Sequence, residues 1–210
     1  MAVAALLRAA HESGCTHDVL HERDAAGRWP LHWAVDNGHI DIVETLLKMD
    51  MSTDDDEAKD QAYTPLGYAA ERGLTGIVRV LLQYGANINS GGPQKGTPLL
   101  IAAQHNQEGI VRLLLEQRTT QRDGKSHHIN INTPDPLSRN TPLHLAAGNG
   151  NVTIMGLLLS HPAGLMPDIE AQTDAQETPL HLAAAHPRAA AILLDAGANV
   201  GAEDIRRQTP

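Results

Sequence analysis

Apolar residues in this chain recur in blocks. Each block opens on a Pro-Leu step preceded by Thr or Trp: Trp29-Pro30-Leu31, Thr64-Pro65-Leu66, Thr97-Pro98-Leu99, Thr141-Pro142-Leu143 and Thr178-Pro179-Leu180, with Thr209-Pro210 last. Successive starts lie 35, 33, 44, 37 and 31 residues apart. A Leu-Leu pair falls 17 residues after each of the first four starts, and Leu193-Leu194 comes two residues early in the fifth. A helical part of fixed length with variable connections predicts a solenoid whose insertions are confined to loops.

Within each block the pattern predicts two short helices. Pro at the first helical turn loses no hydrogen bond, because that amide has no partner inside a helix. The Thr before it offers an N-cap. Small pairs follow (Ala69-Ala70, Ala102-Ala103, Ala146-Ala147, Ala183-Ala184), so neighbouring helices can approach closely. Gly38, Gly73 and Gly150 then end the first helix. Apolar residues at helical spacing, such as Ile40, Val43, Leu46 and Leu47, mark the second. Gly85-Ala86-Asn87 and Gly197-Ala198-Asn199 close it, and the alternation Ile129-Asn130-Ile131-Asn132 suits a small hairpin.

Thr141-Pro142-Leu143-His144-Leu145-Ala146-Ala147, its counterpart from Thr178 to Ala184, and Asp24 to His32 with Trp29 in the Thr place carry a motif that resembles the ankyrin repeat. The resemblance runs from about residue 24 to 210. It implies an all-α solenoid of stacked helix-turn-helix units with short β-hairpin fingers. The units read as 24–58 with an acidic loop, 59–91, 92–135 with a long insertion, 136–172, 173–203, and the start of a truncated unit at 204–210. Residues 1–23 read as a helical cap or partial unit. There, Leu6 to Gly14 read as a first helix with Thr16 to Glu22 as a shortened second one, which also explains Gly14, or Val3, Leu6 and Leu7 match the spacing of a second helix alone. Gly67 and Leu100 stand where the motif has His, and Pro187 where it has a helix-ending Gly. Exposed Ala and Leu in the last unit lead us to expect an array continuing past Pro210.

Composition supports thin layers. The chain holds 29 Ala and 26 Leu, no Phe, two Trp and three Tyr. So few rings argue against a deep aromatic pocket or a base-stacking platform. All five fall in the first two full units (Trp29, Trp33, Tyr63, Tyr68, Tyr84), which points to the N-terminal half as the place of partner anchoring. A net charge of −9 disfavours nucleic acid. One cysteine, Cys15, forms no internal disulfide and fits a reducing compartment. No signal peptide or membrane span is legible, so an intracellular chain, cytoplasmic or nuclear, is expected.

Few residues invite chemistry. Cys15, His17 and His21 are the densest metal-type cluster, but no further ligand follows at a recognised spacing. His127-His128 is weaker. Asp54-Asp55-Asp56-Glu57 lacks the Gly and Glu of a calcium loop and reads as a solvated finger or an electrostatic docking element. Gly91 to Thr97 lacks the ending of a phosphate loop. The long connection before Thr141 carries Arg118, Arg122 and Lys125 and reads as a surface insertion or a docking element. We expect no catalytic residues, no metal and no cofactor. His32, His144 and His181 are, by the resemblance, structural ties around the repeat turn.

The resemblance also implies a binding surface, carried over position by position. Two residues per first helix should face a groove: Asp36 and Asn37, Glu71 and Arg72, Gln104 and His105, Gly148 and Asn149, Ala185 and His186. Finger residues Arg28, Tyr63, Gln94, Ser138, Asn140 and Glu177 join them. Most are polar. Tyr63 is the expected anchor, while Trp29 and Trp33 serve either as anchors or as filler beneath the first unit. The expected function is a monomeric, non-catalytic scaffold binding a protein partner, with no membrane or nucleic-acid role. The alternatives are a regulatory segment of a larger polypeptide, or a proteasome-cap assembly chaperone, which Gly27 to Val35 resembles.

Overall fold

The computed structural model describes residues 24, 28–49, 64–92, 96–117, 119–120, 126–160 and 166–210. Ten α-helices lie among them, paired as the sequence pattern requires. The first helices are α1 (Pro30–Asp36), α3 (Pro65–Glu71), α5 (Pro98–Gln104), α7 (Pro142–Gly148) and α9 (Pro179–Leu182). The second helices are α2 (Ile40–Lys48), α4 (Thr75–Gln83), α6 (Glu108–Glu116), α8 (Val152–Leu159) and α10 (Pro187–Asp195). Each first helix packs on the next first helix, and each second helix on the next second helix, giving two parallel layers. One continuous apolar core runs between them.

The local chemistry explains why each helix starts where it does. Thr64 Oγ1 accepts the Gly67 N–H at 3.1 Å, and Thr97 and Thr141 cap Leu100 and His144 at 3.4 Å. The Ala pairs of α3, α5 and α7 are fully buried, as close stacking demands. Gly38, Gly73 and Gly150 adopt φ of +71°, +72° and +65° after the first helix, and Asn106 takes the same place at +56°. Asn is the side chain best suited to stand in for Gly there. At Gly73 space matters too: an added Cβ would lie 2.6 Å from Oε1 of Gln107. That Gln107 donates to the Glu71 carbonyl at 3.2 Å, tying the second unit to the third.

The fifth unit departs from this plan. Its first helix stops at Leu182 and tightens into a 3₁₀ turn, Ala183–Ala185, before α10 begins at Pro187. Pro187 does not fill the left-handed Gly position; it becomes the first residue of the second helix, where its missing N–H is harmless. This accounts for the early Leu193-Leu194. It also exposes Ala184, whose counterparts in α3, α5 and α7 are buried.

The fingers are tight turns closed by backbone bonds, among them Asp135 N–H to the Asn140 carbonyl at 2.8 Å and Thr173 N–H to the Glu177 carbonyl at 3.0 Å. Among the described residues the paired strands lie elsewhere, in the insertion, as β1 (Thr119–Thr120) against β2 (Ser126–His127). The Ile129 to Asn132 alternation buries both Ile side chains. Its Asn residues bond to neighbouring units instead of forming a hairpin: Asn130 N–H donates to Asn89 Oδ1 and Asp168 N–H to Asn132 Oδ1. Gly92 and Gly96 pair across a closed turn whose middle lies outside the described residues.

Candidate functional site

His144 and His181 act as the expected ties. The Thr141 N–H donates to His144 Nδ1 at 3.2 Å, and His144 Nε2 donates to the Glu177 carbonyl at 3.0 Å. His181 repeats this with Thr178 and Gln208, at 3.1 Å on both sides. One neutral imidazole therefore joins the helix start of one unit to the finger of the next. Burial pushes His144 below its ordinary pKa, because the charged ring would lose its water, although the Glu177 carbonyl pulls the other way. His32 keeps the Trp29 contact at 3.2 Å, and the carbonyl expected on its far side, that of Tyr63, lies outside the described residues. Gly67 and Leu100 carry no imidazole for this bridge.

The finger of the fourth unit is built on Asp135. Burial would raise its pKa, but N–H groups of Ser138, Leu137 and Asn140 and the Ser138 hydroxyl donate to the carboxylate and hold it below the usual range. Neighbouring fingers also bond to one another. Asp174 N–H donates to the Ser138 carbonyl at 3.2 Å, and Ile205 N–H to the Ala175 carbonyl at 3.0 Å.

The helix residues read as groove-facing form a ladder across the units. Arg72 pairs with Asp36 at 2.6 Å, His105 Nε2 lies 3.9 Å from Glu71, and the Asn149 amide donates to the Gln104 carbonyl at 3.0 Å. Each rung runs from one unit back to the preceding one. Asn37 instead caps its own helix, donating to the Trp33 carbonyl at 2.8 Å. The resemblance implies a groove position for His186. The shortened fifth unit moves it to the start of α10, where Nε2 donates to the Gly148 carbonyl at 2.9 Å, as Gln107 does one pair of units earlier.

Trp29 and Trp33 have different environments. Trp29 is 4% exposed and lies edge-on to His32, which in turn lies edge-on to Tyr68. Trp33 is 46% exposed; the Arg28 guanidinium lies 4.0 Å from its ring centre, and Asp24 accepts from both Arg28 Nε and Trp33 Nε1 at 3.0 Å. Trp29 is filler and Trp33 is displayed.

Between the fourth and fifth units the surface closes into a cavity of about 420 Å³. The structure brings five predicted residues together there, Ser138, Asn140, Gly148, Asn149 and Glu177. Its apolar lining comes from Leu137, Leu145 and Leu182, which sequence reasoning did not single out. The signal was available. Leu145 and Leu182 stand four residues after the Thr of each unit, as do Trp33 and Tyr68, and three before the groove position, hence on the same helix face. This pocket lies in the C-terminal half on leucines; in the N-terminal half Trp33, with Ile42 and Leu46, lines a smaller one of about 260 Å³. Tyr63, Gln94, the Cys15-His17-His21 cluster and the Asp54–Glu57 run lie outside the described residues. No helix among the described residues is long and apolar enough to cross a membrane.

A sequence model of ankyrin repeats in three copies matches residues 31–125 and 123–204. An ankyrin repeat and KH domain-containing protein of Caenorhabditis briggsae is 32% identical over 150 residues, 71% of this chain. The 26S proteasome non-ATPase regulatory subunit 10 of Dictyostelium discoideum is 37% identical over 68 residues, 31% of this chain. Alpha-latrotoxin-Lt1a of Latrodectus tredecimguttatus is 33% identical over 136 residues, 65% of the chain. The matched segments span 5%, 28% and 7% of those proteins. With two layers of paired helices, histidine ties across the turns and family matches over most of its length, the chain belongs to the ankyrin-repeat family, a protein-interaction fold.

Proposed function

We propose that the chain is a non-catalytic scaffold that holds a protein partner in the groove formed by its first helices and fingers. The observation that carries this reading is the cavity between the fourth and fifth units, where leucines form an apolar wall and residues of successive units form a polar rim. Such a surface is preorganised, so binding orders little of the scaffold itself. The partner-facing set is Arg28, Asp36, Asn37, Tyr63, Glu71, Arg72, Gln104, His105, Asn140, Asn149 and Glu177, extended by Leu137, Leu145 and Leu182. The reading includes a monomer working inside the cell, in cytoplasm or nucleus.

Two sets of substitutions test it, with the full chain as bait and far-UV circular dichroism as the fold control. Charge reversal at Asp36, Glu71 and Arg72 alters the N-terminal half. Leu137→Glu with Leu182→Gln alters the cavity. Loss of partner capture with helical content intact is the expected result. Capture that survives both sets removes the groove assignment.

A second reading, a regulatory segment of a larger polypeptide, is favoured by the small share of the worm and spider relatives that the match covers. Sequencing the full transcript decides between the two. A role in proteasome-cap assembly rests on the 68-residue match and on Gly27 to Val35. Absence of proteasomal subunits from material purified with the chain would exclude it.

A further inference from the structure

The cavity between the fourth and fifth units has a definite chemical bias. Asp174 and Glu177 line it, and neither lysine nor arginine does. Glu177 is held by its own backbone: its N–H donates to Thr173 Oγ1 at 3.2 Å, and its carbonyl accepts from the Thr173 N–H and from His144. The half-buried carboxylate thus leaves from a fixed point. Asp174 is fixed by its N–H bond to Ser138 of the neighbouring finger. Two asparagines complete the rim, and both donate to the protein through the amide nitrogen. Asn149 Nδ2 donates to the Ala103 and Gln104 carbonyls, and Asn140 Nδ2 to Ser138 Oγ at 2.6 Å. That leaves the acceptor oxygen on Asn149, and the acceptor oxygen with one N–H on Asn140. The rim therefore presents the acceptors of two carboxylates and two amide oxygens above a wall of three leucines.

Resting on the groove reading above, we propose that this cavity receives an arginine side chain from an extended, positively charged segment of the partner. The methylene stem lies along Leu145 and Leu182, and the guanidinium reaches Glu177 and Asp174. A planar fork of five donors matches a rim of several separate acceptors better than the compact ammonium of lysine does. The leucine wall suits a side chain whose stem is apolar and whose head is charged. The net charge of −9 draws a basic segment toward the chain.

The test is selection from a phage-displayed library of random peptides on the full chain, followed by affinity measurement of the selected peptides by fluorescence anisotropy. The expected result is peptides sharing an arginine at one position. Replacing that arginine by alanine, or Glu177 by Gln, then weakens binding roughly tenfold or more, and lysine recovers only part of it. Thermal unfolding of Glu177→Gln should match the wild type, since the backbone contacts of Glu177 are untouched. Peptides that lose affinity with Leu182→Gln but not with Glu177→Gln or Asp174→Asn would keep the groove and overturn the arginine assignment. Lysine binding as tightly as arginine would also overturn it. Binding insensitive to Leu182→Gln, or no enrichment at all, would sink the groove reading as well.

Discussion

Single residues hold this solenoid at points where geometry leaves few substitutes. Gly73 serves both a left-handed backbone and the approach of Gln107, so Gly73→Ala should cost about 1–2 kcal/mol or more in urea unfolding. The reverse holds in the fingers. Arg139, Gln176 and Arg207, each two residues before a Thr position, adopt φ near +60° without being glycine. Gln176→Gly should therefore raise stability by up to about 1 kcal/mol, measured by the same unfolding curve. His144 adds a pH dependence. Its folded pKa lies below the ordinary value of 6.5, so the unfolded chain binds the proton more readily. The stability of neutral His144 is complete above that ordinary value and falls as pH drops through it toward the folded pKa. The loss approaches about 1.4 kcal/mol per pH unit at most, and that part of the slope should vanish in His144→Gln.

At the scale of elements, the fixed length of each unit follows from helix packing. The buried Ala pairs let first helices stack closely, with Val35 in the second place of the pair in α1. Ala147→Leu should destabilise by about 1–3 kcal/mol, whereas Ala184→Leu, on the exposed 3₁₀ turn, should be nearly neutral in thermal unfolding. The contrast is informative because the two residues are equivalent in sequence. The fifth unit has lost two residues between its helices. That loss ends α9 early, turns Pro187 into a helix start and moves His186 from the groove to the seam.

On the scale of the whole molecule, contacts run from each unit to its neighbours, so stability is close to a sum of units and interfaces. A cavity in the middle should split the array. Leu114→Ala should cost about 2–5 kcal/mol and separate two urea transitions. Trp29 and Trp33, both in the first unit, report one by fluorescence, and circular dichroism reports the whole. Coincident transitions would show that coupling between units survives the change. The amino-acid sequence alone determined the repeat, the helix pairs and the capping Thr and Gly, because these depend on residues close along the chain or at a fixed period. The resemblance to ankyrin repeats implied the histidine ties and a surface carrying Asn140, Asn149 and Glu177. Only the tertiary structure decided that Trp29 is buried while Trp33 is displayed, that charges on successive helices pair with one another, and that the cavity lies on Leu145 and Leu182. Those outcomes depend on how one unit sits against the next, and a two-residue shift in a turn changes that without altering the repeat pattern.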